Sequence, residues 1–133
     1  MDAQVLPLVV VADDDDAIRL LCRLNLELEG YRVEEAASSE ELARLTNAED
    51  VALVILDVHL GADDGLEVAR ELRERRPGIP IAFLSGSVDF GERARALADA
   101  SIRKPFTLED LIGTVHRLAR GPAPQPPRPA ASS

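Results

Sequence analysis

The chain has 133 residues, enough for one domain with a two-sided sheet core, and its 46% hydrophobic and 29% charged residues are the balance of a soluble globular protein. A formal charge of −9 argues against a nucleic-acid-binding surface, and a single cysteine excludes an internal disulfide framework. No stretch reaches the roughly 18 apolar residues of a membrane span, and no signal-peptide pattern opens the chain, so no membrane contact and a cytoplasmic location are expected.

Leu8 to Ala12 is an all-apolar strand that runs into Asp13-Asp14-Asp15-Asp16. Adjacent carboxylates repel one another and usually form a solvated run. Here they follow a buried strand and precede a helix, where Asp caps well and negative charge suits the dipole. Asp15 or Asp16 fits the cap. Asp13 and Asp14, nearer the strand, are better placed for chemistry. Ala17 to Glu29 reads as a helix stopped by Gly30. Ile18, Leu21, Cys22 and Asn25 share one face, which makes Cys22 a buried, inert thiol. Leu20, Leu24 and Leu28 form a second stripe at i+4 steps. One helix on one side of a sheet needs only one apolar face, so this stripe is either extra core or a docking surface.

Tyr31 to Ala36 is a partly polar strand suited to a sheet edge. Ser38 or Ser39 caps the next helix, which runs to about Ala48 with Leu42 and Leu45 inward. Val51 to Leu56 is six consecutive apolar residues ending at Asp57, the pattern of a strand covered on both faces. Gly61, Asp63, Asp64 and Gly65 then predict a loop, and Gly65 to Arg76 a third helix ended by Pro77-Gly78. Ile79 to Leu84 is another apolar strand, ending in Ser85-Gly86-Ser87. A short alanine-rich helix over Phe90 to Ala98 and a short strand over Ala100 to Arg103 follow. Lys104-Pro105-Phe106 ends that strand, and Thr107 caps a last helix reaching about Arg120. His116 on that helix reads as a surface residue without a role. The expected organisation is a domain over 1–120 and a Pro-rich tail over 121–133, whose composition cannot build a core.

Strands and helices alternate five times, which predicts an α/β fold with a parallel sheet and helices on both faces. Asp13, Asp14, Asp57, Ser85 and Lys104 all fall at C-terminal ends of strands, and in such sheets those ends converge on one crevice. Three carboxylates together raise one another's pKa unless a cation sits among them. A hard divalent ion bound by oxygens fits, and Mg²⁺ is the usual choice. With Lys104 as a fixed positive charge and Ser85 as a hydroxyl donor, the set suits phosphoryl acceptance on Asp57.

VVVADDDDAIR, VILDVHLGADDGLE, IPIAFLSG and IRKPF, in this order and spacing, resemble a response-regulator receiver domain of two-component signalling, here of the stand-alone, single-domain type. The resemblance covers residues from about 6 to 120. It implies a five-stranded parallel sheet in the flavodoxin-like order 2-1-3-4-5. It also implies Asp57 as the phospho-acceptor, Asp13 and Asp14 as metal-site acids with the His59 backbone carbonyl completing the Mg²⁺ shell, Ser85 as the hydroxyl switch, Lys104 as the phosphoryl-binding lysine and a cis bond before Pro105. A receiver takes its phosphoryl group from a histidine kinase or a histidine phosphotransfer protein and is no enzyme toward a separate substrate. Its first helix commonly meets that partner, which gives Leu20, Leu24 and Leu28 a docking role. Pairing into a homodimer is also common among receivers.

Some residues depart from the pattern. Ser101 stands three residues before Lys104, where receivers usually carry an aromatic switch residue, and Ser85 replaces the commoner threonine. The expected signal therefore leaves through the fourth-helix loop, by way of Ser85 and Gly86. His59 and Ser87, two residues after Asp57 and Ser85, are expected to tune dephosphorylation. No DNA-recognition or catalytic output module is expected within the chain, so output runs through protein contact. The alternative is a phosphorylation-independent pseudo-receiver that serves as an interaction module.

Overall fold

A computed structural model describes residues 6–86 and 91–119, with the backbone alone for Gly91 and Arg93. The elements in chain order are β1 (Leu8–Ala12), α1 (Asp16–Leu28), β2 (Arg32–Ala36), α2 (Ser39–Leu45), β3 (Val51–Asp57), β4 (His59–Leu60), β5 (Asp63–Asp64), α3 (Gly65–Arg75), β6 (Ile81–Ser85), α4 (Gly91–Leu97), β7 (Ala100–Arg103) and α5 (Leu108–Ala119). The main sheet is parallel, in the order β2-β1-β3-β6-β7. With the β4–β5 hairpin set aside, this is the order 2-1-3-4-5.

Strand side chains alternate between faces, so each central strand feeds two cores. Val10, Ala12, Val54, Leu56 and Phe83 pack on one face with Leu42 of α2 and Leu72 of α3. Val9, Val11, Leu53, Ile55 and Leu84 pack on the other with Cys22 and Leu26 of α1 and Leu111 and Val115 of α5. That is why β1 is apolar throughout and β3 and β6 are apolar up to their last residues, Asp57 and Ser85, while β2 at the edge alternates with polar residues.

Two local expectations change and one open alternative closes. The inward face of α1 is Cys22 and Leu26, and Leu21 is exposed. Leu20, Leu24 and Leu28 are not core: they are 48%, 51% and 83% exposed. The expected loop after Asp57 contains a small antiparallel hairpin, His59 opposite Asp64 and Leu60 opposite Asp63. Gly61 turns that hairpin at φ +62°, a left-handed conformation that favours glycine. The Pro-rich segment 121–133 lies outside the described residues.

Candidate functional site

The site is built by register. Ala12 pairs with Leu56, Asp57 with Leu84, and Ser85 with Arg103, so β1, β3, β6 and β7 end at one level. The residues at or just beyond those ends are Asp13, Asp57, Ser85 and Lys104. Main-chain bonds hold the level. Val58 N–H donates to the Leu84 carbonyl at 3.0 Å, and Lys104 N–H to the Ser85 carbonyl at 2.7 Å. The Lys104–Pro105 bond is cis.

Asp13 is buried and fixed on several sides. Its N–H donates to the Ala36 carbonyl at 3.1 Å, and its Oδ1 accepts from Asp15 N–H at 2.9 Å. Asp15 is the helix cap, accepting from Ala17 and Ile18 N–H at 2.9 and 3.3 Å. Asp57 is buried, and its Oδ1 accepts from His59 N–H at 3.0 Å. Asp14 is exposed at the mouth. Carboxylate oxygens of Asp13, Asp14 and Asp57 lie within 4.8 Å of one another. Lys104 Nζ closes the group, 3.0 Å from Asp13 Oδ2 and 3.2 Å from Asp57 Oδ2.

Burial pushes the Asp13 carboxyl above its ordinary value, and the nearby Asp57 charge adds to this against the hydrogen bonds from Asp15 and Lys104. Burial pulls Lys104 down, but Asp13 and Asp57 outweigh it and hold the ammonium above its usual range. Asp13 and Asp57 thus share the Lys104 ammonium, and Asp14 adds a third carboxylate beside them. An oxygen-only, acid-rich donor set that is still short of positive charge fits a hard divalent ion such as Mg²⁺. Asp13, Asp14 and Asp57 are the side chains that could hold it.

Ser85 is buried at the end of β6. The His59 side chain is exposed beside the site, and Ser101 is exposed on β7. Ser87 lies outside the described residues. His116 is not a free surface residue: Nδ1 meets the Tyr31 hydroxyl, and Nε2 lies 3.4 Å from Glu29 Oε1, tying α5 to the end of α1.

Gly65 was not legible as a site residue. Its N–H donates to the Val58 carbonyl at 2.6 Å, and its backbone presses on the peptide after Asp57. A glycine opening a helix right after its Asp64 cap was the available signal, since glycine is a poor helix former.

Residues 9–116 match the family model described as "Response regulator receiver domain". The chain is 37% identical over 119 residues to the response regulator MprA of Mycolicibacterium vanbaalenii, covering 87% of this chain and 52% of that protein. It spans about half the length of the curated relatives it matches. A CheY-like receiver domain protein from Methanospirillum hungatei superposes with a TM-score of 0.79 at 30% identity, covering 86% of this chain and 94% of that one. A response regulator from Burkholderia pseudomallei, solved with a phosphorylated aspartic acid, a calcium ion and citrate, superposes with a TM-score of 0.75 at 27% identity, covering 85% and 68%. This chain belongs to the response regulator receiver domain family.

Proposed function

We propose that the domain accepts a phosphoryl group on Asp57, with Mg²⁺ held by Asp13, Asp14, Asp57 and the His59 backbone carbonyl. The observation that carries this reading is the convergence of three carboxylates within 4.8 Å, with Lys104 Nζ 3.2 Å from Asp57. When bound, the ion supplies positive charge against the phosphoryl oxygens. The chain's own groups do the rest. An Asp57 oxygen forms the new bond to phosphorus, and the bond to the donor imidazole nitrogen breaks, its electron pair leaving with that nitrogen. Lys104 neutralises the oxygen that gains charge, and Ser85 hydrogen-bonds another. The product is an acyl phosphate on Asp57. Phosphorylation and hydrolysis concern this one side chain, so no separate substrate is turned over. A phosphorylated aspartate and a divalent ion in the Burkholderia relative support the same chemistry here.

The donor in this reading is a phosphohistidine on a histidine kinase or phosphotransfer protein. Ile18, Leu21, Lys104, Pro105 and Phe106 line a groove of about 410 Å³ beside the site. The exposed leucines of α1 extend this apolar surface. A helical partner seated there brings its histidine close to Lys104 and Asp57.

A second reading, a phosphorylation-independent interaction module, draws on Ser101 in place of the aromatic switch residue. One experiment separates the two. Intact-protein mass is measured after incubation with Mg²⁺ and acetyl phosphate, for wild type and Asp57→Ala. A single base-labile phosphoryl increment, absent from the variant, is the expected result. Wild type that binds Mg²⁺ yet stays unlabelled, even with a phosphorylated histidine partner, favours the second reading.

A further inference from the structure

Arg19 stands behind the acidic cluster, and nothing in the proposed chemistry uses it. Its side chain is only 12% exposed. The guanidinium is spent in three directions. Nη1 donates to the Asp13 carbonyl at 2.7 Å, Nε to Glu35 Oε1 at 3.1 Å, and Nη2 to the Asp16 carboxylate. Glu35 is itself fixed, because Arg23 Nη1 donates to its other oxygen at 3.0 Å. Glu35 pairs with Val11 in the sheet, so this anchor stands beside the end of β1.

The Asp13 carbonyl belongs to the peptide group that leads into Asp14. That group is planar, so fixing its oxygen fixes the direction in which the Asp14 backbone leaves. The Asp13 N–H is already held by Ala36. Arg19 supplies the restraint on the other side. Two acids next to each other in sequence then point at one place beside Asp57, although one is buried and the other exposed.

We infer that Arg19 is a positioning residue for the cation site, acting through the Asp13–Asp14 peptide. This rests on the Mg²⁺ reading above. The competing account is purely electrostatic, with Arg19 offsetting the run of four aspartates. The two accounts predict opposite signs. Removing a cation near an acidic site raises its affinity for Mg²⁺, whereas releasing a ligand-bearing peptide lowers it. Groups that orient metal ligands from behind typically carry about 10- to 100-fold in affinity.

The test is a Mg²⁺ titration of the full chain, followed by calorimetry and by the amide shifts of Asp13 and Asp14, with urea unfolding alongside. Wild type is compared with Arg19→Met and Arg19→Lys. Methionine keeps the apolar stem. Lysine keeps the charge but cannot fork between the Asp13 carbonyl and Glu35. Arg19→Met is expected to bind Mg²⁺ about tenfold more weakly, and Arg19→Lys to fall between it and wild type. Labelling of Asp57 in Arg19→Met should need correspondingly more Mg²⁺ yet reach the wild-type rate at saturation. Equal or tighter Mg²⁺ binding in Arg19→Met overturns the inference, as does wild-type binding in Arg19→Lys. If the methionine variant does not fold, the lysine variant decides alone. Wild type that binds no Mg²⁺ removes the metal reading and this inference together, whereas wild type that binds and variants that match it remove this inference only.

Discussion

A Cβ on Gly65 would lie 2.4 Å from the carbonyl oxygen of Asp57. Real Cβ atoms do not approach a backbone oxygen so closely, and neither partner is a flexible side chain. The Val58 carbonyl would stand at 2.5 Å from the same atom. The first turn of α3 is thus pressed against the peptide that follows the candidate phospho-acceptor. Gly65→Ala must move α3 or the end of β3. It is expected to destabilise the fold by about 1–3 kcal/mol, the usual cost of overpacking. It should also weaken Mg²⁺ binding, because Asp57 moves with its backbone. Urea unfolding and a Mg²⁺ titration check both, and an unchanged unfolding midpoint rules out so close an approach.

Burial raises the Asp13 carboxyl above its ordinary 3.8. An acid with a raised folded-state pKa binds its proton more tightly in the fold than in the open chain. Its contribution is fully present below the unfolded value and is lost as pH rises through the folded one. Ionised Asp13 therefore costs stability at neutral pH when no metal is bound. Without Mg²⁺, Asp13→Asn should melt at a higher temperature than wild type at pH 7. That advantage should shrink as the pH falls toward about 4. Saturating Mg²⁺ should reverse the order, since a ligand that binds only the folded state stabilises the chain that binds it better. Thermal melts at the two pH values, with and without Mg²⁺, check the sign.

Lys104 stays charged across the neutral range because its two carboxylate partners outweigh its burial. Lys104→Met removes the fixed cation while leaving the three acids in place. Labelling of Asp57 by acetyl phosphate should fall by about 10²-fold, the scale set by deleting one charge-stabilising donor. Mg²⁺ affinity should hold or rise, because a competing positive charge is gone. A wild-type labelling rate would take Lys104 out of the chemistry.

Leu24 is 51% exposed on the outer face of α1. Leu24→Glu should change stability by no more than about 0.5 kcal/mol, as for most surface substitutions. It should slow phosphotransfer from the phosphohistidine partner and leave acetyl-phosphate labelling unchanged. Stopped-flow transfer and denaturation curves separate these effects. Marked unfolding would return the residue to the core.

The positions of Asp13, Asp57, Ser85 and Lys104 were legible along the chain for a local reason. Asp13, Asp57 and Ser85 each follow an apolar run, because a strand covered on both faces must be apolar until its end, and Lys104 closes the short strand Ala100–Arg103. The parallel sheet and a helix cap at Asp15 or Asp16 followed from equally local patterns. Tertiary structure decided the rest. The Lys104–Asp13 contact joins residues 91 apart and depends on strand order and register. Helical spacing placed Leu20, Leu24 and Leu28 on one face, but a stripe repeats alike whether a neighbour covers it or water does. Packing decides between them: α1 turns Cys22 and Leu26 into the core shared with α5 and leaves those leucines outside. Gly65 and Arg19 were hidden for a related reason. One matters for an absent Cβ and the other for a backbone carbonyl it holds, and neither shows until the chain has brought the facing atoms together.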